Sequence, residues 1–253
     1  MTVCKKVVIV TGATSGIGDA VVQAFGATGA TVILVGRDQE RGQRVLDAVQ
    51  KLGCAAQLML GDVADSGFAD QVIAHAVKRF GRVDVLVNSA GIIRRGSAVD
   101  TSDDDWRHIF EANVGGVFYF SRAAVKAMRK TGGGSIVNIA STVGLVGCSN
   151  LTAYCASKGA VVLLTRAMAL DHAKDQISIN AVCPGAVDTP MLVSAHAKPV
   201  TPDEILQRNI DSIPQGRVAT PTEIASLTVF LASDEAKHIT GVAVPIDGGF
   251  TAG

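Results

Sequence analysis

The sequence predicts an α/β fold, a doubly wound parallel sheet of about seven strands with helices on both faces. Three observations lead there. Short runs rich in β-branched or aliphatic residues recur along the chain, longer segments with a helical period lie between them, and no repeat or low-complexity linker divides the 253 residues. Strand and helix in alternation require crossover connections, and right-handed crossovers place helices on both faces of one parallel sheet.

Val7-Val-Ile-Val10 is apolar at every position, as a strand covered on both faces must be. Helical periodicity follows over Asp19 to Thr28. Thr31-Val-Ile-Leu-Val35 is the second strand, with a helix over Gln39 to Lys51, and Ala56-Gln-Leu-Met-Leu60 is the third, read as buried like the others. Phe68 to Phe80 has a helical period. Val83-Asp-Val-Leu-Val87 is the fourth strand, followed by one long helical stretch over Asp103 to Arg129. Ser135-Ile-Val-Asn-Ile139, a helix over Ala153 to Ala173, and Ile177-Ser-Ile-Asn-Ala-Val182 continue the series. The last strand, Val242-Ala-Val-Pro-Ile246, ends in the turn Asp247-Gly-Gly249. Alternation lapses only from about Asp188 to Thr220, which carries Pro190, Pro199, Pro202 and Pro214. Such a segment is either a lid or binding loop or a plain surface insertion. The reading is one domain over 1–253, with a substrate-loop insertion at about 188–220.

Hydrophobic residues make up 48% of the chain, enough for a well-buried core. With 23 basic and 23 acidic residues the formal charge is zero, so no electrostatic footprint for nucleic acid or an anionic membrane is expected. The amino terminus runs directly into an apolar strand without the pattern of a signal peptide, and no apolar run reaches the roughly 18–20 residues of a membrane span. The expected location is the cytoplasm. Cys4, Cys54, Cys148, Cys155 and Cys183 are scattered without a CxxC pair, so they read as reduced and mostly buried, Cys155 either lining a site or packing. His75, His108, His172, His196 and His238 show no metal-ligand spacing and are expected on the surface or on helix faces. No metal is expected.

Two constellations carry chemistry. Thr11-Gly-Ala-Thr-Ser-Gly-Ile-Gly18 follows the first strand and opens the first helix, where a dinucleotide pyrophosphate can meet helix amides and the positive end of the dipole. Glycine there lets the backbone approach phosphate, and Gly12, Thr14, Ser15, Gly16, Ile17 and Gly18 are the candidate contacts. Tyr154 stands four residues before Lys158, on the same helix face. A free phenol titrates at about 10, and a close cation in a partly dry site can lower it toward a working proton donor. A chance apolar contact with a snorkelling lysine stem is the alternative.

Thr11 to Gly18 in the spacing TGxxxGxG, Asn88-Ser-Ala-Gly91 after the fourth strand, Ser141 upstream of Tyr154, and Tyr154-x-x-x-Lys158 together resemble the short-chain dehydrogenase/reductase family. Pro184-Gly185 with Thr189, and the Asp247-Gly-Gly249 ending, are similar too; Ser89 departs from the family's more frequent asparagine. The resemblance covers nearly the whole chain and implies a Rossmann-type sheet and a nicotinamide dinucleotide. It also implies interconversion of a secondary alcohol and a ketone, and a homotetramer built through the two long helices and the last strand.

By that resemblance Tyr154 is the acid in reduction and the base in oxidation, Ser141 donates a hydrogen bond to the substrate oxygen, and Lys158 also binds the nicotinamide ribose. Asn113 holds a water in a proton relay. Ser141 as a strand-end cap and Asn113 as a bonded kink remain open. Asp62 and Val63 are implied at the adenine, and Asn88, Ala90 and Gly91 beside the adenosine ribose. Pro184, Gly185, Val187 and Thr189 are implied as further cofactor contacts, with Thr189 at the carboxamide. Asp62 can equally be a turn residue and Gly91 a hinge.

Cofactor choice is read at the end of the second strand. An acid that takes the ribose hydroxyls is usual about 20 residues beyond the glycines, but this chain has Gly36 followed by Arg37. A guanidinium holds a 2′-phosphate by charge-assisted hydrogen bonds, so NADP(H) is favoured over NAD(H), with Asp38 able to reach a ribose hydroxyl or repel the phosphate. Arg94 and Arg95 in Ile92-Ile-Arg-Arg-Gly96 can meet a substrate carboxylate, as in the sugar-acid members this segment is similar to, or form a solvent or subunit contact. An acyl-carrier-linked 3-oxoacyl reductase, with Arg94, Arg95 and Arg129 as docking cations, and a nonenzymatic nucleotide-binding redox sensor are the alternatives.

Overall fold

A computed structural model describes residues 3, 5–194 and 201–253. Cys4, His196 and Pro199, with the rest of 195–200 in the expected insertion, lie outside the described residues. Seven strands form one parallel sheet: β1 (Val7–Thr11), β2 (Thr31–Gly36), β3 (Ala56–Leu60), β4 (Val85–Asn88), β5 (Gly134–Ile139), β6 (Ile177–Pro184) and β7 (Ala243–Ile246). Their spatial order is β3-β2-β1-β4-β5-β6-β7. The chain therefore winds outward from β1 to β3, returns across β1 to β4, and winds outward the other way. Beyond the carboxyl ends of β1 and β4 this reversal leaves a crevice, the usual ligand position in open α/β sheets.

Among the described residues there are eight α-helices: α1 (Gly16–Gly26), α2 (Gln39–Gln50), α3 (Ser66–Phe80), α4 (Asp103–Phe110), α5 (Gly116–Met128), α6 (Thr152–His172), α7 (Pro202–Ser212) and α8 (Pro221–Leu231). Alternation along the strands feeds two cores. Val8, Val10, Val32, Leu34, Val85 and Val87 pack with Val21 and Phe25 of α1, Val45 and Val49 of α2 and Ile224 of α8. Val7, Ile9, Ile33, Val35 and Leu86 point to the other face, against Phe68 and Val72 of α3, Phe120 and Met128 of α5 and Met168 of α6.

Three expectations change. β3 and β7 are edge strands, so their side chains are only partly buried; Leu60 is exposed. The helical stretch from Asp103 to Arg129 is three pieces, because a π-helical turn over Glu111–Gly115 joins α4 to α5 around Asn113. Within the insertion at 188–220 lies α7, opened by a capping box in which the Thr201 side chain accepts from the Glu204 N–H and Glu204 accepts from the Thr201 N–H. The same device, Thr220 with Glu223, opens α8, a helix the sequence reading did not resolve.

Thr152–Asp175, α6 with its final turn, is long and apolar enough to cross a membrane by length and composition alone, but Lys158 and Arg166 interrupt it, so it is not the unbroken apolar run of a span, and half of its apolar window is buried inside the fold. Its apolar character is met by β6 and α5. The thiols of Cys54, Cys148, Cys155 and Cys183 are free; Cys54 and Cys183 are buried as expected, whereas Cys148 is exposed and Cys155 intermediate.

Candidate active site

β1 ends in the glycine loop, where Gly12 (φ +65°) and Gly16 (φ +56°) occupy the left-handed region. A Cβ on Gly12 would sit 2.7 Å from the Ala90 backbone, and one on Gly18 would strike the Gly12 carbonyl. The loop is drawn onto the end of β4 by Thr11, whose hydroxyl accepts from the N–H groups of Ser89 and Ala90, both at 3.2 Å. Side chains cap α2, α3, α4, α7 and α8, but Ser15 makes no such bond at the start of α1. The first-turn amides of α1 thus remain available in the crevice, and they fit the pyrophosphate of a dinucleotide.

At the end of β2, Gly36 passes under Thr14, where a side chain would collide with the threonine methyl. Arg37 Nη1 lies 3.6 Å from Asp62 Oδ2, and both groups are largely exposed. Asp62 also accepts from the Ala64 N–H at 3.0 Å, so it does serve as a turn residue. Asp38 is the N-cap of α2: Oδ1 accepts from the Arg41 N–H at 2.9 Å and Oδ2 from Arg41 Nε at 2.8 Å. Those hydrogen bonds from the Arg41 backbone and side chain hold its carboxyl below the usual range. Arg41, which sequence reasoning missed, lines the crevice beside Arg37. Its position in the first turn of the helix that follows Asp38, the second strand's neighbour, was the readable signal.

The opposite end of the crevice is built by β5, α6 and the segment after β4. Ser141, just beyond β5, caps the short 3-10 turn Thr142–Gly144: its Oγ accepts from the Val143 N–H at 3.3 Å and donates to the Pro184 carbonyl at 3.5 Å. Tyr154, on the first turn of α6, is 8% exposed. Burial pushes its phenol up to about 12; hydrogen bonding with Ser141 draws it back, and Arg95 does so to a smaller degree. Lys158 is buried one turn on, and burial brings its ammonium down to about 8.

This corrects the expectation that Lys158 acidifies Tyr154. Lys158 Nζ donates to the Ile139 carbonyl at 2.8 Å and stands 5.7 Å from the Tyr154 ring centroid, so its charge faces a backbone carbonyl. Loss of water outweighs it, and the phenol holds its proton. Asn113, on the π turn, grips the backbone of Ile92: Oδ1 accepts from its N–H at 2.8 Å and Nδ2 donates to its carbonyl at 3.0 Å. Nδ2 also donates to Ser157 Oγ at 3.0 Å. π-helical turns concentrate at functional sites because they re-aim a side chain.

One cavity of about 670 Å³ joins the two ends, within the usual range for small-molecule sites. Of the residues singled out from sequence, Gly12, Thr14, Ser15, Gly16, Ile17, Gly18, Arg37, Asp38, Asp62, Val63, Ala90, Gly91, Ser141, Tyr154, Lys158, Pro184, Gly185, Val187 and Thr189 all line it. Asn88 and Asn113 do not. Asn88 is buried in the sheet, its Nδ2 donating to Ser121 Oγ at 3.0 Å and Asn138 Oδ1 at 2.8 Å, so it holds β4 against β5 and α5. Asn113 lies behind Gly91. His108 and an apolar set, Ile93, Val143, Leu151, Met191 and Leu192, line the cavity as well, and no spacing rule pointed to them. Among the described residues no cluster suited to a metal ion occurs.

Comparison with known proteins agrees with this geometry. Residues 12–251 match the family model described as enoyl-(acyl carrier protein) reductase. The chain is 42% identical to meso-2,3-butanediol dehydrogenase of Serratia marcescens over 98% of its own length and 95% of the relative's. It superposes on a crystal structure of levodione reductase with a TM-score of 0.95 at 33% identity, covering 98% of each chain. A variant of actinorhodin polyketide ketoreductase, crystallised with NADPH, gives a TM-score of 0.92 at 36% identity over 97% of each chain.

Proposed function

Because the chain belongs to the short-chain dehydrogenase/reductase family, as an NAD(P)-dependent oxidoreductase that interconverts secondary alcohols and ketones, we propose that Ser141, Tyr154 and Lys158 carry its chemistry with NADP(H) as the preferred cofactor. The observation that carries the reading is that Ser141, Tyr154 and Lys158 line the same cavity as the glycine loop and the uncapped start of α1.

A bound nicotinamide supplies or accepts the hydride. Ser141 Oγ donates a hydrogen bond to the substrate oxygen and fixes it against Tyr154. With its phenol at about 12, Tyr154 holds a proton at neutral pH and delivers it from Oη as negative charge grows on that oxygen. Lys158, at about 8, remains mostly cationic at neutral pH and holds the ribose hydroxyls in this reading. Asn113 keeps Gly91 and Ile92 in place behind it. Asn113 also carries the proposed water relay between Lys158 and solvent.

For the 2′-phosphate, Arg37 and Arg41 supply two guanidinium groups, and the Asp38 carboxylate is turned to Arg41 and the start of α2. Asp62, Val63, Ala90 and Gly91 take the adenosine; Pro184, Gly185, Val187 and Thr189 take the nicotinamide end. Residues 188–220 act as the substrate loop. The acyl-carrier alternative is weaker, since Arg94 faces Asp105 and Arg129 faces Asp175. Free thiols suit the cytoplasm. A homotetramer through α5, α6 and β7 would cover Phe118, Leu163 and Leu170, which are exposed in the single chain. The test is kcat/KM for simple ketones and cyclic alcohols with each cofactor; a clear preference for NADH removes the NADP(H) assignment, and no turnover removes the triad's role.

A further inference from the structure

The adjacent arginines Arg94 and Arg95 part company. Arg94 Nε lies 3.4 Å from Asp105 Oδ1 and Nη1 donates to the Ile93 carbonyl at 3.1 Å, and the side chain does not reach the cavity. Arg95 lines the cavity at its catalytic end, close enough for its charge to be felt by the Tyr154 phenol. Its partners are two carbonyls, those of Leu192 and Ser194, each at 3.4 Å, and among the described residues no carboxylate pairs with it. A guanidinium has five N–H donors, and these two long contacts leave most of its capacity unused. A partly buried cation without a counter-charge is costly to keep, and an arriving anion relieves that cost.

The wall beside it is hydrocarbon. Ile93 and Leu151 pack with Tyr154 in one apolar cluster, Val143 joins it, and all four line the cavity. A polyhydroxylated body would surrender its water against this wall without replacement partners. We propose that the substrate is an oxo- or hydroxy-carboxylate with a hydrocarbon body, that Arg95 receives its carboxylate, and that Arg94 has no part in it. The inference rests on the oxidoreductase reading only for which group reacts.

The test uses the enzyme with bound NADPH and two matched pairs, 4-oxocyclohexanecarboxylate and 4-oxopentanoate against their methyl esters. The wild type is expected to favour the acids in kcat/KM by at least about tenfold, chiefly through KM, with Arg95→Gln abolishing that preference and Arg94→Gln keeping it. A wild type that favours the esters, or an acid preference that survives Arg95→Gln, overturns the proposal. Cyclohexanecarboxylate, which cannot be reduced, is titrated calorimetrically into the enzyme with NADP⁺. Binding weakened at least about tenfold by Arg95→Gln supports the anion site even if no ketone turns over, which would count against the oxidoreductase reading alone. Turnover of the esters with no Arg95-dependent carboxylate binding overturns the anion site and leaves the oxidoreductase reading intact.

Discussion

Asn113 holds both polar groups of a single residue, Ile92, with its Oδ1 accepting from the N–H at 2.8 Å and its Nδ2 donating to the carbonyl at 3.0 Å. The side-chain amide thereby continues β4 as a neighbouring strand would. It also donates to Ser157 Oγ, which donates to the Tyr154 carbonyl at 2.8 Å, so the segment after β4 and the first turn of α6 share one anchor. Asn113→Ala should lower stability by about 2–4 kcal/mol, since it orphans both groups of Ile92. Chemical denaturation measures this, and a loss under about 0.5 kcal/mol would show that the segment is held by other contacts.

Tyr154→Phe removes the proposed proton donor while keeping the ring that packs on Ile93 and Leu151. We expect an unchanged melting temperature, cofactor affinity within about twofold, and kcat reduced roughly 10²–10⁴-fold. Steady-state assay with fluorescence titration of NADPH checks both halves. Near-normal turnover would take Tyr154 out of the mechanism.

Lys158 gives a pH signature. Its folded pKa is about 8 against an ordinary value of 10.5, so between those values the unfolded chain binds the extra proton and stability rises with pH. The contribution is present above about 10.5 and lost as pH falls through about 8. Tyr154 runs oppositely, losing stability from about 10 to about 12. Relative to Lys158→Met, the wild type should therefore gain on the order of 1–3 kcal/mol from pH 8 to 10. Parallel denaturation curves for the two proteins across that window would contradict the burial of a charged ammonium here.

Arg37→Ala and Arg41→Ala should each cut kcat/KM for NADPH about 10–100-fold and leave NADH within about threefold, because only the phosphorylated ribose has an anion to lose. Arg41→Ala also strips a partner from Asp38. NADH turnover that falls in step with NADPH would point to a general loss of shape at the adenosine end.

Gly18→Ala should be harsher than most surface changes, since the new methyl meets the Gly12 carbonyl in the phosphate loop. Loss of detectable NADPH binding, with the far-UV dichroism spectrum kept, is the expected result. Normal affinity would place the pyrophosphate elsewhere.

What could be read from sequence followed from patterns that local chemistry enforces. Strands buried on both faces announce themselves as unbroken aliphatic runs, and β1, β2, β5 and β6 lie within a residue or two of the expected positions. β3 carries the same kind of run at an edge, because sequence pattern does not reveal which strand has a neighbour on only one side. The π turn at Asn113 was invisible for a similar reason: Glu111-Ala-Asn-Val114 has ordinary helical composition, and the extra backbone residue is stabilised by contacts to Ile92 and Ser157, which are distant in sequence. α7 and α8 were missed although Thr-Pro-x-Glu stands at the head of each; Pro202 was read as a sign of irregularity when it marks the first turn of α7, and Pro221, which opens α8, was not weighed. The cradle and Tyr154 were legible as motifs. The electrostatics of the phenol was not, since it depends on how much water the surrounding fold removes.

α6 carries Tyr154 and Lys158 on its first turns, and further along it presents Leu163, 65% exposed, and Leu170, 83% exposed, to whatever lies outside the chain. At 1.5 Å per residue, Leu170 is roughly 24 Å down the same rod from the phenol, with no joint between them. A partner seated on those leucines would therefore bear on the same continuous helix that holds Tyr154 in the cavity.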